Sequence, residues 1–212
     1  MLTVHHLGVS QSDRIVWLCE ELEIPYTLVR YDRDPVTRMA PPEYKALHPF
    51  GTAPVITDGD LVLGESGAII EYIIARHGGG RFWVGPDQAN YPDFLFWYHF
   101  ANSSMMPSAM TGLIANMIGA PETAVTRSLA ARGDRAFAMV EARLGEAAYF
   151  AGAEFTAADI IMLFPLTTMR LFAPRDISPY PNLLAYLQRI GARPAYQRAV
   201  RKGDPDLPPN LT

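Results

Sequence analysis

The sequence predicts an α/β N-terminal domain of βαβ-ββα order followed by an all-α helical-bundle domain. Three observations carry this reading. Short β-prone runs alternate with helical stretches in the first part, a strong hairpin signal follows Pro54, and beyond residue 90 long helical periodicities replace strand signals.

Leu2 to Leu7 is β-prone, Gly8-Val9-Ser10-Gln11 is a turn, and Ser12 or Asp13 opens an amphipathic helix to about Glu23. After Pro25, Tyr26 to Tyr31 reads as a second strand, so the unit is strand, helix, parallel strand with a right-handed crossover. Asp32 to Pro42 is a polar loop, and a short helix lies near Glu43 to Leu47. Proline offers no backbone donor and pushes its predecessor toward extended geometry, so Ala53-Pro54 stands at the mouth of the strand Val55-Ile56-Thr57. Asp58-Gly59 is a hairpin turn, and Leu61-Val62-Leu63 returns antiparallel. Glu65-Ser66 then opens a helix to about His77, with Ile69, Ile70, Ile73 and Ile74 at helical spacing. This order is the thioredoxin-like arrangement.

Gly78-Gly79-Gly80 ends that helix, and the stretch to Asn90 has linker composition. The expected domains are 1–79, a linker over 80–90, and 91–212. Tyr91 to about Ile118 is helical, with a kink or break at Pro107, and Glu122 to about Ala148 completes a helix hairpin. Thr156 caps a helix that Asp159 answers three residues on, and its apolar run to Leu171 belongs at the domain's centre. Pro181 and Pro194 open two further helices, and the proline-bearing tail from Gly203 is expected to be loose.

With 212 residues, 49% of them hydrophobic, the chain is long enough for a substantial core. Its net charge of −4 gives no basic footprint for nucleic acid or an anionic membrane surface. No apolar run is long enough for a membrane span, and the N-terminus lacks a signal-peptide pattern, so the cytoplasm is the expected compartment. The single Cys19 lies on an apolar helix face and reads as a small buried hydrophobe. His5 and His6 lie in a strand whose alternation sends one of them inward; with no acidic or cysteine partner nearby in sequence, no metal site is expected.

The binding core is read over residues 48–70. A helix start exposes N–H groups and a partial positive charge that suit a carboxylate, while Glu65 beside it suits an ammonium; one amino-acid head group satisfies both. The backbone of Ala53 is placed to take an extended peptide in β fashion, and a cis prolyl bond is compatible with a turn there.

The run Pro49-Phe50-Gly51-x-x-Pro54, the hairpin, and then Glu65-Ser66-x-Ala68-Ile69-x-x-Tyr72 resemble the glutathione site of cytosolic glutathione transferases. The resemblance covers nearly the whole chain: the Thr156 cap is similar to the family's folding motif in the helical domain, and Arg193-Pro194-Ala195-Tyr196 resembles its last common helix. It points to the serine type, in a theta- or phi-like bacterial or fungal branch. It implies glutathione as co-substrate, with Ser10 as the activating hydroxyl and Arg14 following it. Thr52, Ala53, Pro54, Glu65 and Ser66 would hold the peptide. Ser12 competes with Ser10, although its place before Asp13 suits a helix cap. The family often carries a basic or amide residue where Thr52 stands, so the resemblance implies either a weaker hold on glutathione or a glycyl carboxylate met by His48 or Lys45, with Asn102 a further candidate.

The chemistry asked of Ser10 is modest. A thiol of pKa about 8.5 is only about 3% ionised at pH 7, and each unit of lowering is worth about 1.4 kcal/mol. A hydroxyl donating to an anion contributes about 1.5–3 kcal/mol, and a helix N-terminus about 0.3–1 more. The partner is a small apolar electrophile lying against Tyr98, Phe100, Met105, Met106 and Met110. Peroxide reduction, isomerisation, dehalogenation, or a non-catalytic interaction module are the alternatives. The apolar face of Phe94, Leu95 and Tyr98 predicts a homodimer.

Overall fold

A computed structural model describes all residues, Met1–Thr212. They fall into two units: Met1–Trp83 with Ala192–Pro209, and Val84–Gly191 with Asn210–Thr212.

In the first unit β1 (Leu2–Leu7), α1 (Asp13–Leu22), β2 (Thr27–Tyr31), α2 (Pro42–Lys45), β3 (Val55–Asp58), β4 (Leu61–Gly64) and α3 (Ser66–Arg76) follow the expected βαβ-ββα order. The strands form one mixed sheet in the order β2-β1-β3-β4. β1 runs parallel to β2 and antiparallel to β3, with Val4 opposite both Leu28 and Ile56. Alternation along β1 sends Leu2, Val4 and His6 to one face and His5 and Leu7 to the other. Both histidines are buried, because both faces of this central strand are covered. On the second face Leu7 packs with Tyr44 of α2 and Val55.

The β3–β4 register pairs Asp58 with Leu61, so the turn is Gly59–Asp60 rather than Asp58-Gly59. Asp58 stays in the ladder and its carboxylate accepts hydrogen bonds from Tyr72 and His77.

The last helix, α9 (Pro194–Gly203), belongs to this unit and not to the helical one in which it was expected. It packs along α1. Tyr196 meets Trp17 edge-on at 5.4 Å between ring centroids. Arg193 forks onto Glu21 at 2.6 and 2.7 Å, and Trp17 Nε1 donates to the same carboxylate. Glu20 accepts from Arg198, Lys202 and the Tyr26 hydroxyl. Glu20 and Glu21 would be the solvated face of an isolated amphipathic α1; here they are buried beneath basic residues that arrive about 170 positions later. Cys19, beside them, is buried, and burial pushes its thiol well above the ordinary range.

The tail beyond Gly203 is tied down. Asp204 accepts the backbone N–H of Val9. In the other unit Asn210 donates to the Thr167 carbonyl and Gln188 to that of Leu211. These bonds replace the loose end that its prolines suggest.

The second unit holds α4 (Tyr91–Phe100), α5 (Met106–Met117), α6 (Ala124–Glu146), α7 (Ala157–Leu166) and α8 (Pro181–Gly191). A π-helical segment, Ala101–Met105, joins α4 to α5, and Pro107 sits in the first turn of α5. The wider turn accommodates a residue that cannot donate and whose ring crowds the preceding carbonyls, so the break falls before the proline. All ten residues of α7 are buried. Thr156 accepts from Ala158 N–H, and Asp159 accepts from the Thr156 N–H, the predicted reciprocal cap. The helix ends at Leu166, short of the expected Leu171, and continues as a 3-10 turn over Thr168–Leu171. Asp159 is fully buried and also accepts from Phe150 N–H and the Tyr186 hydroxyl. Burial outweighs these bonds and pushes its carboxyl up to about 6.

Candidate active site

The register of the sheet gathers three turns at one end of it. β1 ends at Leu7, β3 begins at Val55 beside His5, and β4 ends at Gly64 opposite Val55. Residues 8–12, 51–54 and 64–66 are therefore neighbours, although the first turn lies far from the others in sequence.

The first turn is built around Val9, a β-branched residue in the left-handed region at φ 54°. Such a conformation costs about 1–3 kcal/mol and persists only where its surroundings impose it. They do so here: Asp204 takes its N–H, and Arg33 donates to the carbonyls of both Gly8 and Val9.

This backbone turns Ser10 inward. Its hydroxyl is 2.7 Å from the Leu7 carbonyl and 2.8 Å from Ser12 Oγ, and the side chain is only 5% exposed. Ser12 stands at the N-cap position of α1 with helical dihedrals, and its side chain makes no capping bond. The expected cap is absent because the Ser12 hydroxyl points down to His6 Nδ1, 2.8 Å away.

Gln11, which the sequence reading left as a plain turn residue, links the first turn to the third. Its Oε1 accepts from Arg14 at 3.1 Å and from Ser66 Oγ at 3.5 Å. Arg14 is fully buried at the start of α1, so it anchors Gln11 from below. A side-chain amide adjoining the candidate Ser10 is the signal that the sequence offers for it.

In the second turn Gly51 has φ +67°, Thr52 is exposed, Ala53 half-buried, Pro54 buried, and the Ala53–Pro54 peptide is cis. Ala53 lies before the first residue of β3, outside the ladder. His48 is committed to this loop: its Nδ1 accepts from Phe50 N–H, and its ring lies against Gly64, where a Cβ would meet it at 3.4 Å. Lys45 is exposed.

In the third turn Glu65 is exposed and takes φ 69°, ψ 120°, strained for a residue with a side chain. Its carbonyl accepts from Ile69 and starts α3, whose first residue, Ser66, is buried. An exposed carboxylate thus precedes a helix N-terminus that presents N–H donors.

The expected apolar residues are dispersed within the helical unit. Phe94 and Tyr98 stack on each other and are buried, so they supply no exposed dimer face; on α4, Phe96 is 47% exposed. Met106 packs with Phe164 and Met169, while Met110 is partly exposed. Asn102 lies in the π segment. A cavity of about 520 Å³ between α5, α6 and the segment after α7 is lined by Met105, Leu113, Phe137, Met169 and Arg175 among others. Of the five expected residues only Met105 reaches it.

Comparison with known proteins gives the context for this site. Residues 10–76 match the family described as "Glutathione S-transferase, N-terminal domain", and residues 123–189 match "Glutathione S-transferase, C-terminal domain". The chain is 33% identical to glutathione S-transferase 3 of Schizosaccharomyces pombe over 95% of its own length and 88% of that protein's. It is 28% identical to glutathione S-transferase GstB of Escherichia coli, over 88% of the chain and 91% of that protein. A crystal structure of a glutathione S-transferase from Actinobacillus pleuropneumoniae superposes with a TM-score of 0.88 at 34% identity, over 100% of this chain and 99% of that one. With the thioredoxin-like sheet, the three converging turns and a helical second unit in place, the chain belongs to the glutathione S-transferase family.

Proposed function

We propose that this transferase binds glutathione at the three turns and adds its thiolate to a small apolar electrophile. Ser10 is the hydroxyl that meets the sulfur, as in the serine-type, theta- or phi-like branch. The observation that carries this is the convergence of the Ser10, Pro54 and Glu65 turns at one end of the sheet. Glu65 and Ser66 at the start of α3 suit the α-amino and α-carboxylate groups of the γ-glutamyl end. Ala53, before β3, is free of the ladder register and suits the peptide's cysteinyl backbone, with Thr52 and Pro54 shaping the loop.

Ser10 Oγ rests on the Leu7 carbonyl, so its hydroxyl must turn away from that acceptor to hydrogen-bond the sulfur. An anion is the stronger acceptor, and the swing needs rotation about one bond. Neither Thr52 nor the committed His48 offers a cation to the glycyl carboxylate; exposed Lys45 is the candidate.

The apolar substrate is assigned to the helical unit, and the enzyme to a cytoplasmic homodimer. No helix is long and apolar enough to cross a membrane. Phe50, at 72% exposure, and Phe96 supply apolar surface for a second copy to cover. Retention on immobilised glutathione together with turnover of a generic aryl halide tests the whole reading. Retention without turnover would reduce the protein to a binding module, and loss of both would remove the assignment of the three turns.

A further inference from the structure

Beneath the Ser10 turn runs a line of polar side chains that makes no side-chain cap for α1. Ser10 Oγ lies 2.8 Å from Ser12 Oγ, which lies 2.8 Å from His6 Nδ1. On the other edge of the ring His6 Nε2 is 3.3 Å from Asp204 Oδ2, a charge contact outside good hydrogen-bond geometry. His6 and Ser12 are fully buried. The end of α9 closes on the ring: a Cβ at Gly203 would meet His6 Nε2 at 3.1 Å.

A carboxylate only accepts, so the neutral ring carries its proton on Nε2, and Nδ1 accepts from the Ser12 hydroxyl. Ser12 Oγ then has a lone pair for the Ser10 proton, which rests on the Leu7 carbonyl at 2.7 Å and reaches Ser12 by rotation about one bond. The line is directed from the surface inward, toward an imidazole nitrogen that can accept a proton.

We propose that Ser10, Ser12 and His6 form a proton relay that draws the thiol proton of bound glutathione inward and leaves it on His6, with Asp204 balancing the charge. The proposal rests on Ser10 being the residue that meets the sulfur. The thiol S–H bond breaks as its proton joins Ser10 Oγ; the Ser10 proton passes to Ser12 Oγ, and the Ser12 proton to His6 Nδ1. One S–H and two O–H bonds break while two O–H bonds and one N–H bond form. The products are a thiolate, two neutral hydroxyls and an imidazolium. Every hydrogen bond in the line is then reversed, so Ser10 donates to the new thiolate.

The surrounding charges suit this end state. Burial pushes the Asp204 carboxyl up, but the facing His6 ring, the Val9 N–H and the nearby Arg30 outweigh it and hold the carboxyl below its ordinary range. Arg30 Nη2 is 3.9 Å from Asp204 and its Nε donates to the Gly203 carbonyl; Arg33 is held on Gly8 and Val9; Asp13 and Arg14 follow Ser12 on α1. Ser12 and His6 act through Ser10 and are positioning residues.

The deciding measurement is where the thiol proton goes. Calorimetry of the full chain with glutathione at neutral pH, in buffers of different ionisation enthalpy, counts protons released, and ultraviolet absorbance of the thiolate shows whether it forms. The relay predicts thiolate with well under one proton released. In His6→Asn the release rises to about one per thiolate, and the bound thiol's pKa rises by about a unit. S-Methylglutathione, which has no thiol proton, gives the same count for both proteins. Nitrogen NMR of the wild-type ring supplies a readout that does not depend on the variant folding: His6 becomes imidazolium with glutathione and not with S-methylglutathione. About one proton released by wild type per thiolate formed, or a ring that stays neutral while thiolate forms, overturns the relay and leaves Ser10's role standing. Unchanged thiolate formation in Ser10→Ala, or none in wild type, overturns the reading of Ser10 and the relay with it.

Discussion

Asp204 holds the N–H of Val9 with both carboxylate oxygens, at 3.1 and 3.2 Å, across 195 positions of sequence. The residue that ends α9 thereby fixes the one strained residue of the turn that carries Ser10. Asp204→Ala should lower stability by about 1.5–3 kcal/mol, the range for a hydrogen bond to a charged group. The folded-state pKa of Asp204 is lowered, so its contribution is present above the ordinary carboxylate range and is lost as pH falls through the lowered value. Denaturant midpoints measured from neutral to acid pH should show wild type losing stability faster than Asp204→Asn. Parallel curves would mean that the contacts of Asp204 with His6, Val9 and Arg30 carry no charge-dependent contribution.

Ser10→Ala should raise the pKa of bound glutathione by about one to two units and slow neutral-pH catalysis about ten- to a hundredfold, while affinity changes little. Ser12→Ala should not act as a lost cap, since the hydroxyl makes no capping bond. It strands the buried His6 Nδ1 and should cost about 1–3 kcal/mol of stability. A pH–rate profile shifted in Ser12→Ala and unchanged in Ser10→Ala would transfer the contact with sulfur to Ser12.

For Glu65 the charge and the backbone separate. Glu65→Ala should weaken glutathione binding far more than it changes the thiol's pKa, because the head group lies away from the sulfur. Glu65→Gly removes the same charge but tolerates φ 69°, so it should bind as weakly as the alanine variant and be more stable than it by about 1 kcal/mol. Undiminished affinity in either variant, read by calorimetry, would detach this turn from the ligand.

In the helical unit Thr156→Ala should cost about 0.5–2 kcal/mol without changing glutathione affinity. Asp159 behaves oppositely to Asp204 in its pH dependence. Its folded pKa is raised to about 6, so its favourable contribution is complete below the unfolded value of about 3.9 and fades as pH rises through 6. The span corresponds to about 2–3 kcal/mol. Melts between pH 4 and pH 7 should show this slope in wild type and not in Asp159→Asn.

Arg193→Ala should be among the costliest single changes. It leaves the buried Glu21 carboxylate with Trp17 Nε1 but without its forked cation, a loss of about 3–5 kcal/mol. An unshifted denaturation midpoint would show that solvent reaches Glu21.

Local rules made most of the fold legible. Pro54, the Asp58-Gly59 pair and the isoleucines of α3 announce strand, hairpin and helix within a few residues of one another, and Thr156 with Asp159 marks the start of α7. What the sequence concealed depends on distant partners. The burial of Glu20 and Glu21 is visible only when Arg193 and Arg198 are laid over α1, and the tail's order only when Asp204 meets Val9. At the site, Ser10, Ala53, Pro54, Glu65 and Ser66 come from turns that short-range pattern could identify. The part played by Gln11, and the diversion of Ser12 from cap to His6, required the relative placement of α1, α3 and β1.

The return of α9 to the first unit also orders events at the ribosome. Residues 1–83 are made before the helical stretch, yet Glu20 and Glu21 must wait for residues 193–202, made after residues 84–191. Vectorial synthesis ordinarily lets an N-terminal domain finish folding before its successor appears. In this chain residues 84–191 can therefore fold while α1 still lacks its basic cover, which arrives only when α9 leaves the exit tunnel.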